Sequence, residues 1–128
     1  MKLGPEAARK KLVEALRSGE YTQTDRVLRD REGYCCLGVA CDLYRKIEDP
    51  DRQWEIVEGV EGDSVWEFMG VSGALPDEVV DWLGFATNGG TLMFRTESSL
   101  MALNDSGKSF EYIADTIEAG AVYLKEES

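Results

Sequence analysis

The run YCCLGVACDLY, residues 34–44, constrains the fold more than any other stretch of the chain. Wound into a helix at about 100° per residue, it puts Cys36, Leu37, Val39, Ala40, Cys41, Leu43, Tyr44 and Ile47 on an arc from about 40° to about 240° from Cys35. Only Cys35, Gly38, Asp42, Arg45 and Lys46 fall outside that arc. A helix apolar over so wide a face must be covered from several sides. The sequence therefore predicts a largely buried helix from about Cys36 to Ile47, ended by Asp49-Pro50-Asp51. With 128 residues, 43% of them hydrophobic, the chain can build one core around it, and a single globular domain over 1–128 is expected.

The same wheel weighs the three cysteines, which at first invite a metal reading. Zinc needs four ligands that converge, usually from closely spaced pairs. Here Cys35, Cys36 and Cys41 point to three sides of the helix, no fourth cysteine follows, and the chain has no histidine. No metal and no cofactor is expected. A disulfide between Cys35 and Cys36 would close a strained ring, so Cys36 and Cys41 read as small core hydrophobes. Cys35 differs: it sits at the turn-to-helix junction on the polar side, where free N–H groups and the helix dipole favour a thiolate. Arg26 or Arg29 could reinforce that, which makes Cys35 the candidate reactive thiol. Without histidine, Cys-His and Ser-His catalysis is excluded. No catalytic residue is assigned, and a cysteine-dependent enzyme using Cys35 is an alternative to the leading reading.

Charge narrows the partners. Fourteen basic against 25 acidic side chains give a net charge of −11, a field that repels phosphate backbones, so direct nucleic-acid binding is not expected. Between Arg45 and Asp81 eleven acids face three bases. That stretch is either a solvated surface, or a decoy of nucleic acid or patch for a basic host protein. No apolar run approaches the ~20 residues that span a bilayer, and MKLGPEAARKK enters a charged helical pattern instead of a signal peptide. An odd, clustered set of cysteines suits a reducing compartment. The expectation is a cytoplasmic protein with no membrane association.

Around the central helix, Pro5, Ala8, Leu12, Ala15, Leu16 and Gly19 outline an amphipathic first helix. Residues 26–29 and 34–36 suit a hairpin around Asp30-Arg31-Glu32-Gly33, with Gly33 left-handed. Trp54/Ile56 and Trp66/Phe68 alternate as two strands around the loop EGVEGD, LPDEVVDWLG is a short helix stopped by Gly84, and TLMF is a third candidate strand. The stretch SSLMALNDSGKSFEYIADTIEAG predicts two helices, the second capped by Ser109 and buried along Phe110, Ile113, Ala114 and Ile117. Its rhythm is that of a helix-turn-helix, but Glu111, Asp115 and Glu118 would face phosphates, so it reads as an αα-hairpin used for packing. Asn104-Asp105-Ser106 matches a glycosylation acceptor, idle inside a cell. The class is α+β, with four or five helices packed on a small, mostly antiparallel sheet.

The loop YTQTDRVLRD is locally basic in an acidic chain. Tyr21 offers a stacking face, Gln23 an amide, and Arg26 and Arg29 guanidiniums suited to phosphate or carboxylate, although strand alternation would put the two arginines on opposite faces. A small anionic molecule such as a nucleotide fits this composition, with Trp54 and Trp66 as further stacking faces. No GxxxxGK[ST] loop is present, which leaves phosphotransfer without support.

Taken in order, ALRSGEYTQ, YCCLGVACDLY, LPDEVVDWLG and ALNDSGKSFEYIAD resemble a family of short hypothetical proteins of bacteriophages and bacterial genomes with a CCLGVxCDL core. The resemblance spans nearly the whole chain and implies a genomic setting and no catalytic residues. The expectation is a non-enzymatic, phage-type accessory protein in the host cytoplasm. It would sequester a small nucleotide-like signal of host defence through Tyr21, Gln23, Arg26, Arg29, Trp54 and Trp66. An acidic inhibitor or DNA mimic acting on a basic host protein is the alternative, and the apolar stripes leave room for a homo-oligomer.

Overall fold

Helix α2, Cys36–Glu48, runs through the middle of the molecule, as its wide apolar face demands. In this computed structural model, which describes residues 2–58, 64–93 and 99–125, three other helices lie against it. They are α1 (Pro5–Arg17), α3 (Asp77–Leu83) and α4 (Leu100–Asp105), while α5 (Phe110–Glu118) packs on α1 and α4. Pro5 opens α1, whose buried stripe is Ala8, Leu12, Val13 and Leu16. Gly84 ends α3 at φ 71°, a left-handed cap that suits glycine. Ser99 and Ser109 cap α4 and α5 by accepting from the N–H groups of Ala102 and Tyr112.

The sheet is antiparallel and has the order β1-β3-β2, from β1 (Arg29–Asp30), β2 (Glu55–Glu58) and β3 (Ser64–Glu67). Trp66 on β3 stands opposite Arg29 on one side and Ile56 on the other. The α+β architecture is therefore as expected, with five helices and a three-stranded antiparallel sheet among the described residues.

Several expectations are corrected. The hairpin of residues 26–29 and 34–36 is reduced to the two residues of β1 and an isolated Arg29–Tyr34 bridge. Arg26 takes φ 70°, where its N–H donates to the Asp105 carboxylate at 2.7 Å, and this breaks the alternation that a strand needs. Gly33 is not left-handed in the helical sense. It lies at φ 159°, and glycine is needed because a Cβ would stand 2.1 Å from the Thr22 carbonyl oxygen. TLMF forms isolated bridges, Thr91 to Ser99 and Leu92 to Val122, and no strand; Phe94 lies outside the described residues. The EGVEGD loop lies there too beyond Glu58.

The helical wheel is corrected at both margins. Ile47, assigned to the covered arc, is 38% exposed: the last turn of α2 meets its neighbours through Tyr44 and Glu48, which contact Trp82 and Leu3, and leaves Ile47 to solvent. Gly38, Asp42 and Cys35, assigned to the open side, are buried, because the chain from Tyr21 to Tyr34 wraps across that side. Gly38 marks the crossing: a Cβ there would lie 1.8 Å from the Leu28 carbonyl oxygen, which accepts from Cys35 N–H at 3.1 Å.

Candidate functional site

Asp42 is the polar centre of the covered side of α2. Its residue is only 3% exposed, and burial pushes its carboxyl pKa up. Hydrogen bonds from Tyr21, Trp54 and Arg45 and the charge of Lys46 outweigh that and hold it below the ordinary value. The Tyr21 hydroxyl donates to Oδ2 at 2.7 Å and Trp54 Nε1 to Oδ1 at 3.0 Å. Arg45 Nε and Nη2 reach Oδ1 at 3.1 and 3.0 Å, and Lys46 Nζ lies 3.2 Å from Oδ2. One carboxylate thus fixes two aromatic side chains, from a loop twenty-one residues before it and a strand entry twelve residues after it.

Those aromatics carry a platform. Tyr21 meets Tyr34 edge-on with centroids 5.0 Å apart, Tyr34 meets Trp54 at 5.9 Å, and Trp54 tilts against Phe68 at 5.0 Å. Arg29 lies across the platform, its guanidinium carbon 5.1 Å from the Tyr34 centroid, 5.5 Å from Trp54 and 4.8 Å from Trp66. A guanidinium held over aromatic rings by cation–π attraction keeps its N–H donors for other partners. Arg29 is half-buried, and among the described residues no acceptor bonds its guanidinium. Three cations, Arg29, Arg45 and Lys46, act on the half-buried Tyr34 against the single charge of Asp42. Burial, ahead of these charges, raises the Tyr34 pKa. The site is locally cationic on a chain of net charge −11.

Of the six residues proposed for ligand binding, the fold brings together Tyr21, Arg29, Trp54 and Trp66. Gln23 and Arg26 go elsewhere. Gln23 Nε2 donates to Asn104 Oδ1 at 3.0 Å and to the Lys108 carbonyl at 2.8 Å, beside a recess of about 390 Å³ that it shares with Asp25 and Glu32. The Arg26 side chain is exposed at the same end.

Asn104 organises that end as Asp42 organises the other. It is 2% exposed; its Oδ1 also accepts from Cys36 N–H at 3.0 Å, and its Nδ2 donates to the Thr24 carbonyl at 2.7 Å. Cys35, expected on the polar side, is 5% exposed and is the N-cap of α2, its Sγ accepting from Gly38 N–H at 3.4 Å. Burial pushes its thiol up to about 11 against weaker help from the Gly38 and Leu37 backbone, so the thiol stays protonated at neutral pH. Cys36 and Cys41 are wholly buried free thiols, raised further by the same cause.

Asp42, Tyr34 and Asn104 were missed as site residues. Asp42 carried a signal: it is the one acid inside the CCLGVxCDL core, with Arg45 and Lys46 three and four positions on. A further cavity, about 700 Å³ between α1 and α5 and floored by Val13, Ile117 and Leu124, contains none of the expected residues.

Fold and site together define a small α+β domain in which a buried carboxylate orders an aromatic platform beneath one arginine. The chain belongs to the family described as a domain of unknown function, DUF8296, whose model matches residues 5–121. No curated protein and no solved structure gave a significant match. Among the described residues no helix is long and apolar enough to cross a membrane.

Proposed function

We propose that the protein is a non-enzymatic binding protein for a small anionic, nucleotide-like ligand. Arg29 grips the anion, and Tyr34 and Trp66 border it; Tyr21 and Trp54 act beneath, as the props that Asp42 holds in place. The observation that carries the reading is the Arg29 guanidinium, lying over three aromatic rings with no acceptor bonded to it among the described residues. An arginine held this way has surrendered much of its rotamer freedom before a ligand arrives, which lowers the entropic cost of binding. The bacteriophage setting suggested by the sequence resemblance gives such a binder a use, sequestering a nucleotide-like signal of host defence.

The test is thermal stabilisation at low salt by a panel of mono-, di-, tri- and cyclic nucleotides with inorganic phosphate as the minimal anion. A ligand at about a hundred times its Kd stabilises by about 2.7 kcal/mol, several degrees in a domain of this size. At least one member is expected to produce a saturable rise that Arg29→Ala abolishes. A flat response across the panel refutes the proposal.

A further inference from the structure

Strand β2 lies at the edge of the sheet, bonded to β3 on one side and, among the described residues, open on the other. All four of its residues are exposed, including Ile56 at 54% and Val57 at 40%, so the strand buries neither face. Such an edge offers unpaired N–H and C=O groups, a template for one more strand.

Charge decides which strand fits. Glu55 stands directly opposite Glu67 on β3, a like-charge pair that costs stability, and no lysine or arginine among the described residues is paired with either. Glu58 places another carboxylate at the far end of β2. A second copy of the chain added edge to edge and antiparallel would set Glu55 of each copy against Glu58 of the other, adding repulsion, so these acids bar self-pairing. A strand with lysine or arginine at those positions meets no such barrier and relieves the Glu55–Glu67 repulsion.

We propose that β2 is a docking edge for an extended basic segment of a partner protein, with the pattern cation-aliphatic-aliphatic-cation, added as a fourth strand. The cations meet Glu55 and Glu58. The two aliphatic side chains pack beside Ile56 and Val57, one on each face, because successive side chains alternate. The pattern reads alike in both directions and serves a parallel or an antiparallel addition. It rests on the open side of β2, whereas Arg29, which grips the anion, stands on β1 beyond β3.

The experiment is an NMR titration of the isotope-labelled protein with the hexapeptide Thr-Lys-Val-Val-Lys-Thr. Shifts confined to residues 55–58 and Glu67, with amide exchange there slowed about tenfold near saturation, are expected, and salt should weaken them. The double variant Glu55→Lys with Glu58→Lys should transfer the preference to Thr-Glu-Val-Val-Glu-Thr. Both positions are exposed and Glu55→Lys removes the repulsion with Glu67, so its melting temperature should not fall below that of the wild type. No binding of the basic peptide overturns the proposal. So does equal binding of Thr-Lys-Pro-Val-Lys-Thr, whose proline cannot donate to a ladder, or sedimentation showing that the chain pairs with itself along this edge.

Discussion

The first turn and the middle of α2 solve the same problem with opposite means. At its N-terminal end the loop of residues 21–34 is joined to the core through Asn104, a neutral amide whose contacts with Cys36, Gln23 and Thr24 use both its oxygen and its nitrogen. At the middle of the helix the same loop is joined through Asp42, a charge that draws in Tyr21, Trp54, Arg45 and Lys46. The amide centre is closed. The charged centre assembles more cation than it neutralises and passes its order outward to Arg29. A buried neutral network fixes a loop, whereas a buried charge can fix a loop and also leave a field for a ligand to answer.

The largest expected effect breaks the closed end. Gly38→Ala forces a Cβ onto the Leu28 carbonyl, and no rotamer relieves a clash with backbone. A loss of about 4 kcal/mol, or no folded protein, should appear in denaturant melts. Next comes Asp42→Asn, expected to cost about 3 kcal/mol because Tyr21 and Trp54 donate to different oxygens of Asp42 and the amide keeps only one acceptor, leaving the other donor facing an N–H.

This variant also carries a pH signature. The Asp42 carboxyl is depressed in the folded state, so its stabilisation is fully present above the ordinary carboxyl value of about 4. It is lost as pH falls through the folded value. Urea melts between neutral and acid pH should show a shallower acid loss in Asp42→Asn than in the wild type, and equal slopes would contradict the assignment.

Asn104→Ala sharpens the comparison. It strands the Cys36 N–H and the Thr24 carbonyl and should cost about 2 kcal/mol. It should spare anion binding, whereas Asp42→Asn should weaken both. The smallest effect is kinetic. Alkylation of native Cys35 at neutral pH should run at least about a hundredfold slower than free cysteine, given its burial and raised thiol pKa. A rate matching free cysteine would reopen the reactive-thiol reading.

What the sequence made legible was periodic and local. The breadth of the apolar arc from Cys36 to Tyr44 demands a central helix, and Pro5, Gly84 and Ser109 mark helix ends by their own chemistry. What it hid depends on segments distant in the chain. A helical wheel knows two sides and cannot show that residues 21–34 cross the polar one, so Cys35, Gly38 and Asp42 passed for exposed. Arg26 ends the expected strand because Asp105, seventy-nine positions away, accepts its N–H. Four of the six expected ligand residues cluster because aromatic and guanidinium groups gather wherever they are covered together. Gln23 and Arg26 are near Tyr21 and Arg29 only in sequence, and the turn at Arg26 sends them to the Asn104 end.

The central claim is that Arg29 is held on ring faces with donors available to an anion. Its side-chain Nε–H resonance reports this directly, because aromatic faces shield a stacked guanidinium and a bound anion shifts the proton the other way. A resolved Arg29 signal displaced upfield by Tyr34, Trp54 and Trp66 is expected. That signal should move on addition of a stabilising nucleotide and lose part of its upfield displacement in Trp66→Ala. An Arg29 signal at the random-coil position and indifferent to every nucleotide would contradict it.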